Sequence, residues 1–101
     1  MTKPIIEFVT FRLSDGVSRE NFAAAAKAMG AWVSAQPGVV RRRLSCIEDG
    51  TWLEHIEWAS MADAKAAAAA IGKGPGNADF VKAIDGPTVS MSHSMLEVAL
   101  A

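Results

Sequence analysis

Val39-Val40-Arg41-Arg42-Arg43-Leu44-Ser45-Cys46-Ile47-Glu48-Asp49-Gly50-Thr51-Trp52-Leu53-Glu54-His55-Ile56-Glu57-Trp58-Ala59 is a pair of strand-forming runs folded back on Asp49-Gly50. Asp-Gly suits a two-residue type I′ turn, because both of its positions tolerate positive φ. A tight turn fixes the register, so that residues whose numbers sum to 99 face each other. One face then carries Arg42 opposite Glu57, Leu44 opposite His55 and Cys46 opposite Leu53. The other carries Arg41 opposite Trp58, Arg43 opposite Ile56 and Ile47 opposite Trp52. Both faces are partly apolar, which predicts a sheet covered on both sides.

Outward from the hairpin, the punctuation repeats on each side. Ile5 to Leu13 reads as a first strand, closed by Ser14-Asp15-Gly16. Ser18 caps a helix on which Phe22, Ala26, Met29 and Val33 share a face, and Pro37-Gly38 stops it. After the hairpin, Ser60 and Asp63 form a capping box ahead of the alanine-rich run Ala64 to Ala70. Lys73-Gly74-Pro75-Gly76-Asn77 reads as a mobile loop in the position of a lid, followed by a short helical turn with Phe80 and Ile84. Thr88 to Val98 closes the chain as a strand, with Val89, Met91, His93 and Met95 on one face and Ser90, Ser92 and Ser94 on the other.

The order β-α-β-β-α-β defines an α+β fold of ferredoxin-like topology, a four-stranded antiparallel sheet with both helices on one face. At 101 residues, half of them hydrophobic, residues 1–101 are expected to form a single domain. The second face, carrying Leu44, Cys46 and Leu53 by the register above, requires a cover, and a second copy of the chain is the simplest one. The expectation is a homodimer whose two sheets close into an α+β barrel with the helices outside.

Charge narrows the partners. Ten basic and eleven acidic residues leave a net charge of −1, which offers no general attraction to nucleic acid or anionic lipid. Alternation splits the triple arginine between the faces, so it is no basic stripe. Glu7 stands too near the start for a signal h-region and no apolar run approaches a membrane span, so the chain is expected in the cytoplasm. A single Cys46 cannot make an internal disulfide, which suits a reducing compartment.

Ile6-Glu7-Phe8-Val9-Thr10-Phe11-Arg12-Leu13 running into Asp15-Gly16, the Gln36-Pro37-Gly38-Val39 junction, Trp58-Ala59-Ser60 before an alanine-rich helix, and Val89-Ser90-Met91-Ser92-His93 occur in a telling order. Together they resemble the dimeric α+β barrel proteins that include the antibiotic-biosynthesis-type monooxygenases. The resemblance implies a homodimer with a pocket between sheet and helices in each subunit, but not one activity, since the superfamily holds oxygenases, isomerases and members of no known role. Haem-degrading members are similar to one another in an asparagine on strand one, a tryptophan on strand three and a histidine on the second helix. Trp58 matches, but strand one has no asparagine and Ser60 to Gly72 no histidine, so haem lacks an axial donor and no cofactor is expected. Two unclustered histidines likewise give no metal spacing.

The family's quinone-forming oxygenases need neither metal nor flavin, because a deprotonated phenolic substrate itself passes an electron to oxygen. Such chemistry needs a base and a dry pocket. His93 is the candidate base, and Trp58, Ile56, Trp52, Met91, Arg41 and Phe80 are the candidate substrate-binding residues. Arg41 either stacks on Trp58 or, like Arg43, holds a carboxylate or enolate at the rim. His55 falls on the dimer face, with a structural role. Either the tryptophans fill the space above strand three, or a cavity remains there for a flat apolar ligand. Three readings stay open: a cofactor-independent monooxygenase-like enzyme acting on a small aromatic or polyketide-like molecule, a non-catalytic small-ligand binding or accessory homodimer, and a structural dimer with filled pockets.

Overall fold

The computed structural model describes residues 3–100. Its strands, β1 (Ile5–Phe11), β2 (Val39–Cys46), β3 (Trp52–Trp58) and β4 (Ser90–Met95), form one sheet of order β2-β3-β1-β4 with every pairing antiparallel. The helices are α1 (Arg19–Ala28), α2 (Gly30–Ser34), α3 (Met61–Ala70) and α4 (Ala78–Ala83), and they cover one face of the sheet. This is the expected ferredoxin-like α+β arrangement, with strict alternation of buried and half-buried residues along β1 and β3.

Both sequence-predicted caps form. Ser18 Oγ accepts the Asn21 N–H at 3.0 Å, and Ser60 Oγ accepts the Asp63 N–H at 3.2 Å. The first helix breaks at Met29 into α1 and α2, which lets Met29 and Val33 both stay buried while the chain bends toward Pro37.

The hairpin differs from the two-residue turn. Ile47 N–H donates to Thr51 O at 2.8 Å and Gly50 N–H to Ile47 O at 3.0 Å, leaving Glu48, Asp49 and Gly50 as a three-residue loop. Gly50 takes φ +93° while no non-glycine residue among those described has positive φ, so Asp49 does not adopt the conformation that a type I′ turn requires of it. A turn centred on Glu48-Asp49 with the left-handed glycine after it is the alternative hairpin solution. Arg12 fixes it, its guanidinium donating to Asp49 O at 2.7 Å and to Thr51 Oγ1 at 3.0 Å.

One extra loop residue slides the register by one and exchanges the faces of β2. Arg42 now stands opposite Ile56, Leu44 opposite Glu54 and Cys46 opposite Trp52, all toward the helices. Arg41 stands opposite Glu57, Arg43 opposite His55 and Ser45 opposite Leu53, on the open face. A bulge at Val40 sets Val39, rather than the expected Arg41, opposite Trp58. The expectations for Leu44, Cys46 and each arginine are thereby corrected, although the triple arginine is still divided between faces. The faces of β3 are as expected, since Trp52, Ile56 and Trp58 are buried and Leu53, His55 and Glu57 half-exposed. Without Leu44 and Cys46, the open face keeps Leu53, joined by Ile6 and Phe8 of β1.

Two core clusters lie between sheet and helices. One is aromatic, where Phe22 packs on Phe11, Trp52 and Phe80 at ring-centroid distances of 5.6, 4.8 and 5.0 Å. The other sets Ile56 and Trp58 against Ala64 and Ala67 of α3.

Candidate functional site

Alanine over tryptophan leaves room, and a cavity of about 300 Å³ lies between the sheet and the helices. Its sheet wall carries Glu7, Val9 and Phe11 of β1 and Glu54, Ile56 and Trp58 of β3. Trp32 of α2, Ala67 and Ala68 of α3, and Phe80 of α4 close it from the helix side. Val81, Val89 and Met91 also line it and are 41%, 42% and 48% exposed, so they mark its open side. An apolar chamber with an apolar entrance suits a flat hydrophobic molecule.

Two carboxylates interrupt that surface. Glu7 and Glu54 are 7% and 4% exposed, on the face otherwise built from Ile5, Val9, Phe11, Trp52, Ile56 and Trp58. Because Glu7 pairs with Ile56 and Val9 with Glu54, the two acids are diagonal neighbours on adjacent strands. Trp58 Nε1 donates to Glu7 Oε1 at 3.0 Å. Burial raises the Glu7 carboxyl above the usual carboxylate range, against the opposing effects of that indole bond and of nearby His93. Burial raises Glu54 too, against the hydrogen bonds and charge of Arg42, and Glu7 adds to the rise. Arg42 Nε and Nη2 donate to Glu54 Oε1 at 3.0 and 2.8 Å, and Nη1 donates to Ala26 O at 2.8 Å. Glu54 Oε2 is buried without a hydrogen-bond partner.

Of the sequence-predicted site residues, Trp58, Ile56, Met91 and Phe80 line the cavity. His93 does not line it; it stands directly opposite Glu7 in the β1–β4 pairing, with Nε2 buried and without a partner. Trp52 shares the helix-facing side but packs on Phe22, within the aromatic cluster. Arg41 is elsewhere: on the open face, 3.5 Å from Glu57, where it neither stacks on Trp58 nor reaches the cavity rim. The expected lid is pinned at one end, since Asn77 is fully buried and its Nδ2 donates to Ile71 O at 2.9 Å. Gly74 is needed there, because a Cβ at that position would collide with the Trp32 indole and the Asn77 amide.

Sequence reasoning missed Glu7, Glu54 and Trp32. The two acids carried a readable signal, since each occupies the apolar parity of its strand, where a charge must be explained. Among the described residues, no three His, Cys, Asp or Glu side chains gather as a metal-binding group, and no helix is long and apolar enough to cross a membrane.

The sheet order, helix placement and pocket define an α+β fold whose solved neighbours are antibiotic-biosynthesis-monooxygenase-like proteins. The chain is similar to a mutant form of SnoaB, a cofactor-independent oxygenase from Streptomyces nogalater, at 17% identity over 98% of each chain with a TM-score of 0.77. It is also similar to a candidate antibiotic biosynthesis monooxygenase from Nitrosomonas europaea, at 12% identity over 94% of this chain and 91% of that one, TM-score 0.71. Rv0793 from Mycobacterium tuberculosis matches at 14% identity over 97% and 99%, TM-score 0.69. Identities this low establish the fold and no more. No protein-family model matches the chain, and no curated protein sequence matches it.

Proposed function

We propose that this protein is a cofactor-independent monooxygenase-like enzyme that takes a small aromatic or polyketide-like molecule into the cavity beside Trp58. The observation that carries the reading is a buried carboxylate, Glu7, set in the wall of an apolar chamber and backed by His93 across the strand pair. A carboxyl raised by burial is a better proton acceptor near neutral pH than an exposed one, and nearby His93 acts on it electrostatically, favouring the carboxylate that receives the proton. The resulting phenolate gives one electron to O₂. Recombination forms a carbon–oxygen bond, and loss of water from the hydroperoxide leaves a ketone or quinone, so that substrate plus O₂ yields product plus water. Trp58 holds Glu7 in place and presents its ring to the substrate.

Oxygen uptake with a panel of aromatic quinols tests this. Turnover is expected in wild type, with a loss on the order of 10²-fold in His93→Ala and in Glu7→Gln. Equal rates in all three proteins would remove the site assignment. Binding without oxygen uptake for any quinol would instead support the second class, a non-catalytic small-ligand protein.

The same proposal includes a homodimer built on the open sheet face. Ile6, Phe8 and Leu53 leave an apolar strip there, flanked by Arg43 and His55, and two copies laid sheet to sheet would cover it. A light-scattering mass of one chain at micromolar concentration would refute this part.

A further inference from the structure

We propose that Glu54, braced by Arg42, is a specificity-determining residue of this cavity: it accepts a hydrogen bond from a donor group on the ligand and, together with Glu7, excludes carboxylate ligands. This rests on the reading of the cavity as a ligand site. Glu54 sits in the cavity wall at 4% exposure, and its Oε2 is buried with no hydrogen-bond partner. Buried acceptors are nearly always satisfied, and in a ligand-binding wall the absent partner is the ligand's own donor. The Oε1 atom is already occupied by both Nε and Nη2 of Arg42, which fixes the carboxylate and leaves Oε2 as the free atom.

The charge pattern sets the second half of the preference. Arg42 stands behind Glu54 rather than in the cavity wall, and its guanidinium is held by hydrogen bonds to Glu54 Oε1 and Ala26 O. Arg41 and Arg43 point to the other side of the sheet. An incoming anion would therefore meet two acids in an apolar medium, with the Arg42 guanidinium already paired to Glu54, and an added unpaired charge there is strongly disfavoured. A neutral ligand with a hydroxyl satisfies Oε2 and brings no charge.

Three probes of one shape separate the outcomes: 1-naphthol, 1-methoxynaphthalene and 1-naphthoate, titrated calorimetrically at pH 7 without oxygen. The naphthol is expected to bind at least about tenfold tighter than its methyl ether, with the naphthoate weakest. In the double variant Arg42→Met/Glu54→Leu, which removes both partners and leaves no orphaned charge, the naphthol and its ether should bind within about threefold of each other. Equal binding of naphthol and ether by wild type, or preference for the naphthoate, overturns the role of Glu54 while leaving the cavity a ligand site. Retention of the naphthol preference in a folded double variant overturns it as well. Failure of all three probes to bind, with no shift of the Trp32 and Trp58 indole N–H resonances, overturns the ligand-site reading itself and this inference with it.

Discussion

The two halves of the space between sheet and helices are built on the same sheet face and from the same strands, yet one is solid and the other hollow. At the solid end, α1 and α4 send Phe22 and Phe80 down onto Phe11 and Trp52, and four aromatic rings interlock edge to face and in a stack. At the hollow end, α3 offers alanines to Ile56 and Trp58, and about 300 Å³ stays open. Helix propensity and packing part company here. Alanine makes α3 an excellent helix but a poor filler, so local stability and a binding chamber come from the same residues. The acids follow the same division, since Glu7 and Glu54 line the hollow end.

Breaking the solid end should have the largest effect. Phe22 is fully buried among three aromatic partners, and Phe22→Ala is expected to cost about 3–5 kcal/mol in urea unfolding. Filling the hollow end should do the reverse of what core substitutions usually do. Ala67→Leu places three more carbons into existing space, so stability should move by no more than about 1 kcal/mol while calorimetric binding of an aromatic probe disappears. If Ala67→Leu instead destabilised the chain as much as Phe22→Ala, the cavity would have to be regarded as packed.

The fold was legible because its signals are local and mutually reinforcing: Ser18 and Ser60 as caps, Pro37-Gly38 as a stop, the alternation of β3, and the short helix around Phe80. The register of β2 was not, because Asp49-Gly50 is compatible with two loop lengths that differ by one residue, and the choice rests on Arg12, a residue 37 positions away. That single slip moved Leu44, Cys46 and Arg42 to the core side and Arg41 to the open side. Half of the site was visible in Trp58, Ile56, Met91 and Phe80, because large apolar residues on a known face must line whatever space lies there. Glu7 and Glu54 were hidden by chemistry rather than by distance. A charge on an apolar face reads as an error of parity until its partners, the Trp58 indole and Arg42, are seen.

A smaller effect tests the electrostatics of the hollow end. The groups facing Glu7 are the Trp58 indole, His93, and Glu54 with its Arg42. Burial raises the Glu7 carboxyl above its unfolded value, so its contribution to stability is complete below the ordinary carboxylate range and is lost as pH rises through the raised value. Glutamine keeps an acceptor for Trp58 and never ionises. Glu7→Gln should therefore melt a few degrees above wild type at pH 8, and the two curves should converge in acid. A variant less stable than wild type at pH 8 would mean that the ionised form is the one the fold favours.

The smallest expected effect falls on the residue whose placement depends most on the hairpin. With a register summing to 99, Arg41 would lie beside Trp58, at the rim of the hollow end. In the observed register it lies on the opposite face, largely exposed and 3.5 Å from Glu57, a pair worth about 0–1 kcal/mol. Arg41→Ala should thus leave aromatic-probe affinity and oxygen uptake within about twofold of wild type and shift stability by less than about 1 kcal/mol. Arg42→Ala, one residue along, should behave differently, because it strips the buried Glu54 of its ion-pair partner and costs about 3–5 kcal/mol. Adjacent arginines with such unequal effects are what a one-residue register demands. If Arg41→Ala were the damaging substitution and Arg42→Ala the silent one, the three-residue loop at Glu48-Asp49-Gly50 would be wrong, and the division of the sheet into its two faces would be wrong with it.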